Sequence, residues 1–104
     1  MTLFTKIINR EIPSDIVYEQ DNIIVIKDIN PQAKIHLLII PKKEIPTIND
    51  IENEDRDLIA ELFFVAKKVA LNLWIQEWYK LNFNVWKKWW QEVMHIHLHL
   101  LSNI

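Results

Sequence analysis

The sequence predicts an α+β fold: an antiparallel sheet of about five strands, with one long helix and one or two short ones. Three observations carry that reading. Residues 94–101 alternate His95, His97 and His99 with Ile96, Leu98 and Leu100, a period of two that marks a strand. Leu58, Leu62, Val65, Val69 and Leu73 recur at helical spacing, the stripe of a helix against a core. The other strand-like runs follow one another without the helical crossovers that a parallel sheet needs.

Taken in order, residues 2–9 form a short helical turn with Phe4, Ile7 and Ile8 on its apolar side. The break Glu11-Ile12-Pro13-Ser14 follows. Residues 16–19 and 23–28 flank Gln20-Asp21-Asn22, which reads as a hairpin with an Asx-rich turn. After the loop Asn30-Pro31-Gln32-Ala33, residues 35–41 make a mostly apolar strand, buried on both sides and ended by Pro41. Pro46 starts a short turn or helix. Asn53-Glu54-Asp55 has the composition of a helix start, a capping side chain followed by acids at the positive end of the dipole. The long helix then runs to about Leu73. Residues 79–85 and 93–101 are the last two strands, with residues 86–92 as the loop between them.

Composition narrows the class. A chain of 104 residues with half its residues apolar and a quarter charged is the size of a single domain, residues 1–104, with a real core. The formal net charge of −2 offers no basic field for nucleic acid or an anionic membrane. Cysteine is absent, which removes disulfides, thiolate metal sites and a thiol nucleophile. Residues 1–10 lack the apolar stretch of a secretory leader, and no run is long enough to cross a bilayer, so a cytoplasmic protein is expected.

One face of the 94–101 strand carries three imidazoles, spaced about 6.5–7 Å apart if the strand is regular. Packing gives no reason to prefer three histidines there over Thr or Val. Histidine titrates near neutral pH and serves as nucleophile, proton carrier or metal ligand. A zinc site made from these residues, or from two of them with His36, is one alternative. Three ligands at such intervals along one strand do not meet a single ion without distortion.

The run His95-Ile96-His97-Leu98-His99-Leu100-Leu101 resembles the signature of the histidine-triad (HIT) family of nucleotide-binding proteins. Phe4-Thr5-Lys6-Ile7-Ile8, Glu11-Ile12-Pro13, Asp28-Ile29-Asn30-Pro31-Gln32-Ala33 and His36-Leu37-Leu38-Ile39-Ile40-Pro41-Lys42-Lys43 are similar to that family's N-terminal half in order and spacing. Gln91-Glu92-Val93 resembles the lead-in of its bacterial members. The resemblance covers nearly the whole chain. It implies a HIT-like fold, a homodimer, and hydrolysis of purine nucleoside 5′-phosphoramidates or related nucleotidyl bonds with no cofactor. By the same resemblance His97 is the nucleophile that forms a nucleotidyl-histidine, and His99 and His36 bind the phosphate and pass a proton. His95 orients the strand, Asp28 accepts from the ribose hydroxyls, and Ile29 lies against the base. Asn84 and the 90–92 loop, with Trp90 and Glu92, face the phosphate and leaving group.

The sequence departs from the family in one respect. Glycine is absent, where average usage gives about seven in this length, and tryptophan occurs five times. Trp74, Trp78, Trp86, Trp89 and Trp90 all fall where HIT proteins typically carry glycine. Either the glycines were replaced deliberately, or a UGA codon meaning glycine was read as tryptophan; the many Ile, Asn and Lys residues of AT-rich coding favour the second. Bulky residues at glycine positions raise the alternative of a nucleotide-binding or interaction protein with impaired turnover. Glu44 also stands where several relatives have histidine.

Overall fold

A computed structural model describes all residues from 1 to 104. The element order is α1 (Leu3–Ile8), β1 (Ile16–Glu19), β2 (Ile23–Lys27), β3 (Ile35–Pro41), α2 (Arg56–Asn72), β4 (Lys80–Asn82) and β5 (Leu98–Ser102), with single 3-10 turns at Ile48–Asp50, Asn53–Asp55 and Lys87–Trp89. The five strands form one antiparallel sheet in the order β1-β2-β3-β5-β4. The α+β expectation, with one long helix and a five-stranded sheet, is what the chain adopts.

The alternation within β2, β3 and β5 divides the apolar residues between two cores. Ile23, Val25, Leu37, Ile39, Leu98 and Leu100 face α2 and pack on its Leu62, Val65, Ala66, Val69 and Ala70. Ile24, Ile26, Leu38 and Ile40 face the other way, against Phe4 and Ile7 of α1. The central strands are therefore buried on both faces, as their near-continuous apolar runs require. Helix α1 covers only part of the second face. The uncovered part is where the histidines lie.

Several boundaries differ from the sequence expectation. Residues 79–85 contribute only the three-residue β4, and β5 begins at Leu98 rather than at Val93. His95 and His97 thus lie in the segment that approaches the strand, and only His99 is in the hydrogen-bonded ladder. That approach is fastened elsewhere: Ile96 N–H donates to Ile45 C=O at 2.8 Å. At the start of α2, the Asn53 side chain accepts from Arg56 instead of capping the helix. Asp55 Oδ2 takes the Glu52 N–H at 2.9 Å. The helix stripe holds at Leu62, Val65 and Val69, whereas Leu73 is half-exposed past the helix end.

Helix α2 stops in a Schellman motif. Trp74 N–H bonds to Leu71 C=O, Ile75 N–H bonds to Ala70 C=O, and Trp74 sits at φ 62°, the left-handed position that glycine usually fills. Trp90 (φ 65°, ψ 25°) is also left-handed, and Trp86 (φ 74°, ψ 160°) occupies a region that is essentially reserved for glycine. Arg10 (φ 63°) closes α1 in the same way and is the one other residue with positive φ. Three of the five tryptophans therefore occupy glycine backbone. Trp78 and Trp89 do not, and nothing in the structure demands glycine at either.

Candidate active site

The site follows from strand register. Leu38 of β3 pairs with His99 of β5, so His36, two residues along the same face, is the diagonal neighbour of His99. Asn82 of β4 lies directly across from His99 on the other side. Asp28 follows the end of β2 and is tied to β3 by its N–H to His36 C=O at 3.0 Å. His36, His97, His99, Asp28, Ile29, Asn84, Trp90 and Glu92 then line a single cavity of about 550 Å³. Eight of the nine residues singled out from the sequence come together there.

The ninth, His95, is outside the cavity and fully buried. Its Nε2 lies 2.7 Å from Pro41 C=O and its Nδ1 2.9 Å from Thr2 Oγ1. A carbonyl can only accept, so Nε2 carries the proton. Its ring is held by scaffold groups and does not line the cavity, so His95 is not among the residues that meet substrate.

Hydrogen bonding also fixes the other tautomers. His97 Nδ1 lies 2.8 Å from His95 C=O, so Nδ1–H is the donor and the Nε2 lone pair is free. His36 Nδ1 accepts Gln32 N–H at 3.1 Å, which places the His36 proton on Nε2. That N–H points at His99 Nδ1, 2.9 Å away. His99 Nδ1 is therefore an acceptor and its Nε2–H is left for the cavity; Asn84 Nδ2, itself a donor, lies 3.5 Å away and makes no bond with it. The pocket thus presents a bare imidazole nitrogen from His97 beside an N–H from His99, with ring centroids 4.8 Å apart.

Asp28, His36 and His99 also bring ligand-type atoms within 4.8 Å of one another. The zinc alternative fails here on the donor set. With its Nδ1 lone pair committed to Gln32 N–H, His36 has a protonated Nε2 and no electron pair for an ion on that side.

Burial pushes all three triad histidines down from their ordinary value. His99 is held at about 4, by burial first and then by His97 and His36. His97 and His95 are lowered by burial, with the hydrogen bonds to backbone carbonyls opposing. The unfolded chain takes up these protons first as pH falls, so it binds more protons than the folded chain. Stability is therefore expected to be full above the ordinary histidine value of 6.5 and to fall as pH drops from there toward 4. Glu19, with its carboxylate bonded to Lys42 and Arg10, adds to the loss below its ordinary 4.5. Urea melts at pH 7.5, 5.5 and 4.5 check this; a midpoint that stays flat over that range contradicts it.

Gln91, expected with the rest of the 90–92 loop to face the phosphate, is instead fully buried and does not line the cavity. Its Oε1 accepts Trp86 N–H at 2.8 Å, and its Nε2 donates to Pro46 and Val93 carbonyls at 2.6 and 3.0 Å. It holds the 86–91 turn in place under the cavity rim.

The comparisons with known proteins agree over the full length. The family described as scavenger mRNA decapping enzyme C-term binding matches residues 1–104. The purine nucleoside phosphoramidase of Escherichia coli strain K12 is 48% identical over 102 residues, covering 97% of this chain and 86% of that one. An uncharacterized HIT-like protein of Synechocystis is 46% identical over 101 residues, covering 97% and 89%. Among solved structures, a HIT family hydrolase from Legionella pneumophila Philadelphia 1 superposes with a TM-score of 0.96 at 50% identity, covering 100% and 94%. A histidine triad protein from Clostridium difficile gives a TM-score of 0.92 at 35% identity, covering 98% and 90%.

Proposed function

This chain belongs to the histidine-triad (HIT) family, and from that premise we propose that it hydrolyses purine nucleoside 5′-phosphoramidates through a nucleotidyl-histidine intermediate. The observation that supports this most is the free Nε2 of His97, fixed by the Nδ1–H bond to His95 C=O and facing a cavity with His36, His99 and Asp28. A buried imidazole with a lowered pKa is unprotonated at pH 7 and needs no base to become a nucleophile.

Nε2 of His97 attacks the α-phosphorus, the P–N bond breaks and the amine leaves with a proton. His99 Nε2–H donates to the phosphate oxygens on the leaving side. The ring stays neutral, with Nδ1 taken by His36 Nε2–H, so the leaving nitrogen draws its proton from solvent water while His99 Nε2–H hydrogen-bonds the departing group. Water then attacks the nucleotidyl-imidazole, releasing the nucleoside monophosphate and restoring His97. Asp28 Oδ1 accepts Asn30 N–H at 2.8 Å, and Oδ2 lies 3.5 Å from His36 Nε2 at the cavity wall, where the carboxylate accepts from the ribose hydroxyls. Ile29, 85% exposed at the cavity edge, offers an apolar surface to the base. The activity is expected to survive excess chelator unchanged, because no step needs an ion; loss of turnover with EDTA and its return with zinc contradicts this.

The active species in this reading is a homodimer. Strand β4 is a sheet edge three residues long, and α2 leaves Phe64 and Leu71 well exposed, an apolar area suited to a second copy. Sedimentation is expected to give twice the 12.6 kDa chain mass.

A second reading is favoured by one observation. Trp90 lines the cavity with its ring exposed and stacked edge-on against Trp89, centroids 5.4 Å apart. In that reading the chain binds nucleotide without turning it over. Amine release from adenosine 5′-phosphoramidate, measured beside adenosine monophosphate binding by calorimetry, separates the two. Turnover supports the enzyme; binding with no turnover supports the second reading.

A further inference from the structure

Outside the cavity, four polar side chains from three distant parts of the chain meet behind the triad. Thr2 Oγ1 lies 2.9 Å from His95 Nδ1, and Thr2 N–H donates to Glu44 Oε1 at 3.0 Å. Thr5 Oγ1–H donates to the same Glu44 oxygen at 2.8 Å. Thr2 Oγ1 also accepts Thr5 N–H at 3.1 Å, capping α1. The direction of each bond follows. His95 Nε2–H is committed to Pro41 C=O, and burial keeps the ring from taking a second proton. Its Nδ1 is therefore an acceptor, so the single hydroxyl proton of Thr2 goes to His95.

The next link reaches the nucleophile. The carbonyl of His95 is the group that accepts His97 Nδ1–H, and Phe4 of α1 packs edge-on against both rings, at 5.7 and 5.0 Å. Because the segment around His95 and His97 precedes β5, no strand ladder fixes it. The Thr2 hydroxyl and the Ile96–Ile45 bond replace one.

We propose that Thr2 is a positioning residue: its hydroxyl, oriented by Thr5 N–H while Glu44 holds the Thr2 backbone, fixes the angle of the His95 ring and through the His95 carbonyl holds His97 with Nε2 toward the substrate. This rests on the enzymatic reading only for its kinetic consequence; the structural claim stands without turnover.

The test uses Thr2→Val, which keeps the shape and removes the hydroxyl, and Thr2→Ser, which restores it. With ring 15N-labelled histidine, the wild-type chain is expected to show His97 wholly as the Nδ1–H tautomer and His95 wholly as the Nε2–H tautomer. Thr2→Val is expected to leave both tautomers in place, to shift the His95 Nδ1 signal as its donor is lost, to move the His97 Nδ1–H signal and speed its exchange with water, and to lower kcat roughly tenfold with KM little changed, since misplacement of a reacting group costs rate more than binding. Thr2→Ser returns both readouts. If Thr2→Val lowers only the melting temperature and leaves the His97 ring signals as in wild type, Thr2 is a helix cap alone and the proposal fails. Should the wild-type chain show no turnover, the enzymatic reading has failed, and the ring signals still decide the role of Thr2.

Discussion

Replacing His97 with alanine is expected to lower kcat/KM for adenosine 5′-phosphoramidate by about 10³-fold or more, with the fold intact. The magnitude follows from the covalent route. Without the imidazole, water must displace the amine in one step, and the remaining groups supply only binding and electrostatic help. The ring is buried against Phe4, so the alanine variant also leaves a small cavity, costing roughly 1–3 kcal/mol of stability. His97→Asn keeps most of that volume and a polar group in reach of His95 C=O. Both variants are expected to be equally inactive while the asparagine form melts closer to wild type. Activity in the asparagine variant within tenfold of wild type contradicts a nucleophilic role for His97.

The second large effect belongs to the tryptophans. Returning Trp74, Trp86 and Trp90 to glycine relieves three positive-φ positions. Left-handed backbone costs a bulky residue roughly 1–2 kcal/mol, and the region of Trp86 costs of order 1–3. Those costs add to roughly 3–7 kcal/mol, and three glycines give back about 0.4–1 each in unfolded-state freedom, so the triple variant is expected to gain roughly 2–4 kcal/mol of unfolding free energy, a large fraction of the 5–15 typical of a domain. All three rings are mostly exposed, so little packing is lost with them. Returning Trp78 and Trp89 instead is expected to be neutral or slightly destabilising, since neither has positive φ and glycine adds unfolded-state freedom. That contrast separates a backbone effect from a general preference for fewer exposed indoles. If the triple variant is no more stable than the parent, the strain reading is wrong. Trp90→Gly is also expected to raise kcat/KM, because it clears the cavity wall beside Asn84. Peptide mass spectrometry of the protein from its source cell, showing glycine at these positions, is the outcome expected of a reassigned UGA codon.

Much of the fold was readable because period and punctuation agreed. The alternation at 94–101, the apolar run at 35–41 ended by Pro41, and the stripe from Leu58 to Val69 each specify their element locally. The site was readable because the resemblance to HIT proteins named residues that β-sheet register then brings together, His36 beside His99 above all. What could not be read was long-range hydrogen bonding. Period two shows His95 and His97 as strand residues, yet the Ile96 N–H between them meets Ile45 C=O and the His95 ring meets the Thr2 hydroxyl, with no ladder. No local pattern reports that Thr2, Glu44 and His95, separated by 93 residues at the extremes, form one network. The short β4 was overdrawn for a related reason: residues 83–85 have strand-like composition, but the neighbouring β5 offers partners only as far as His99.

The central claim is that His97 carries the nucleotidyl group between two displacements. It is tested most directly by mixing the chain with adenosine 5′-phosphoramidate, quenching in alkali because a phosphorus–imidazole bond is labile in acid, and weighing the intact protein within the first turnover. The account predicts a transient gain of one adenylyl group, mapped by fragmentation to His97 and absent from His97→Asn. Amine release with no adduct at any time when turnover is under way, or an adduct on another residue, would contradict it.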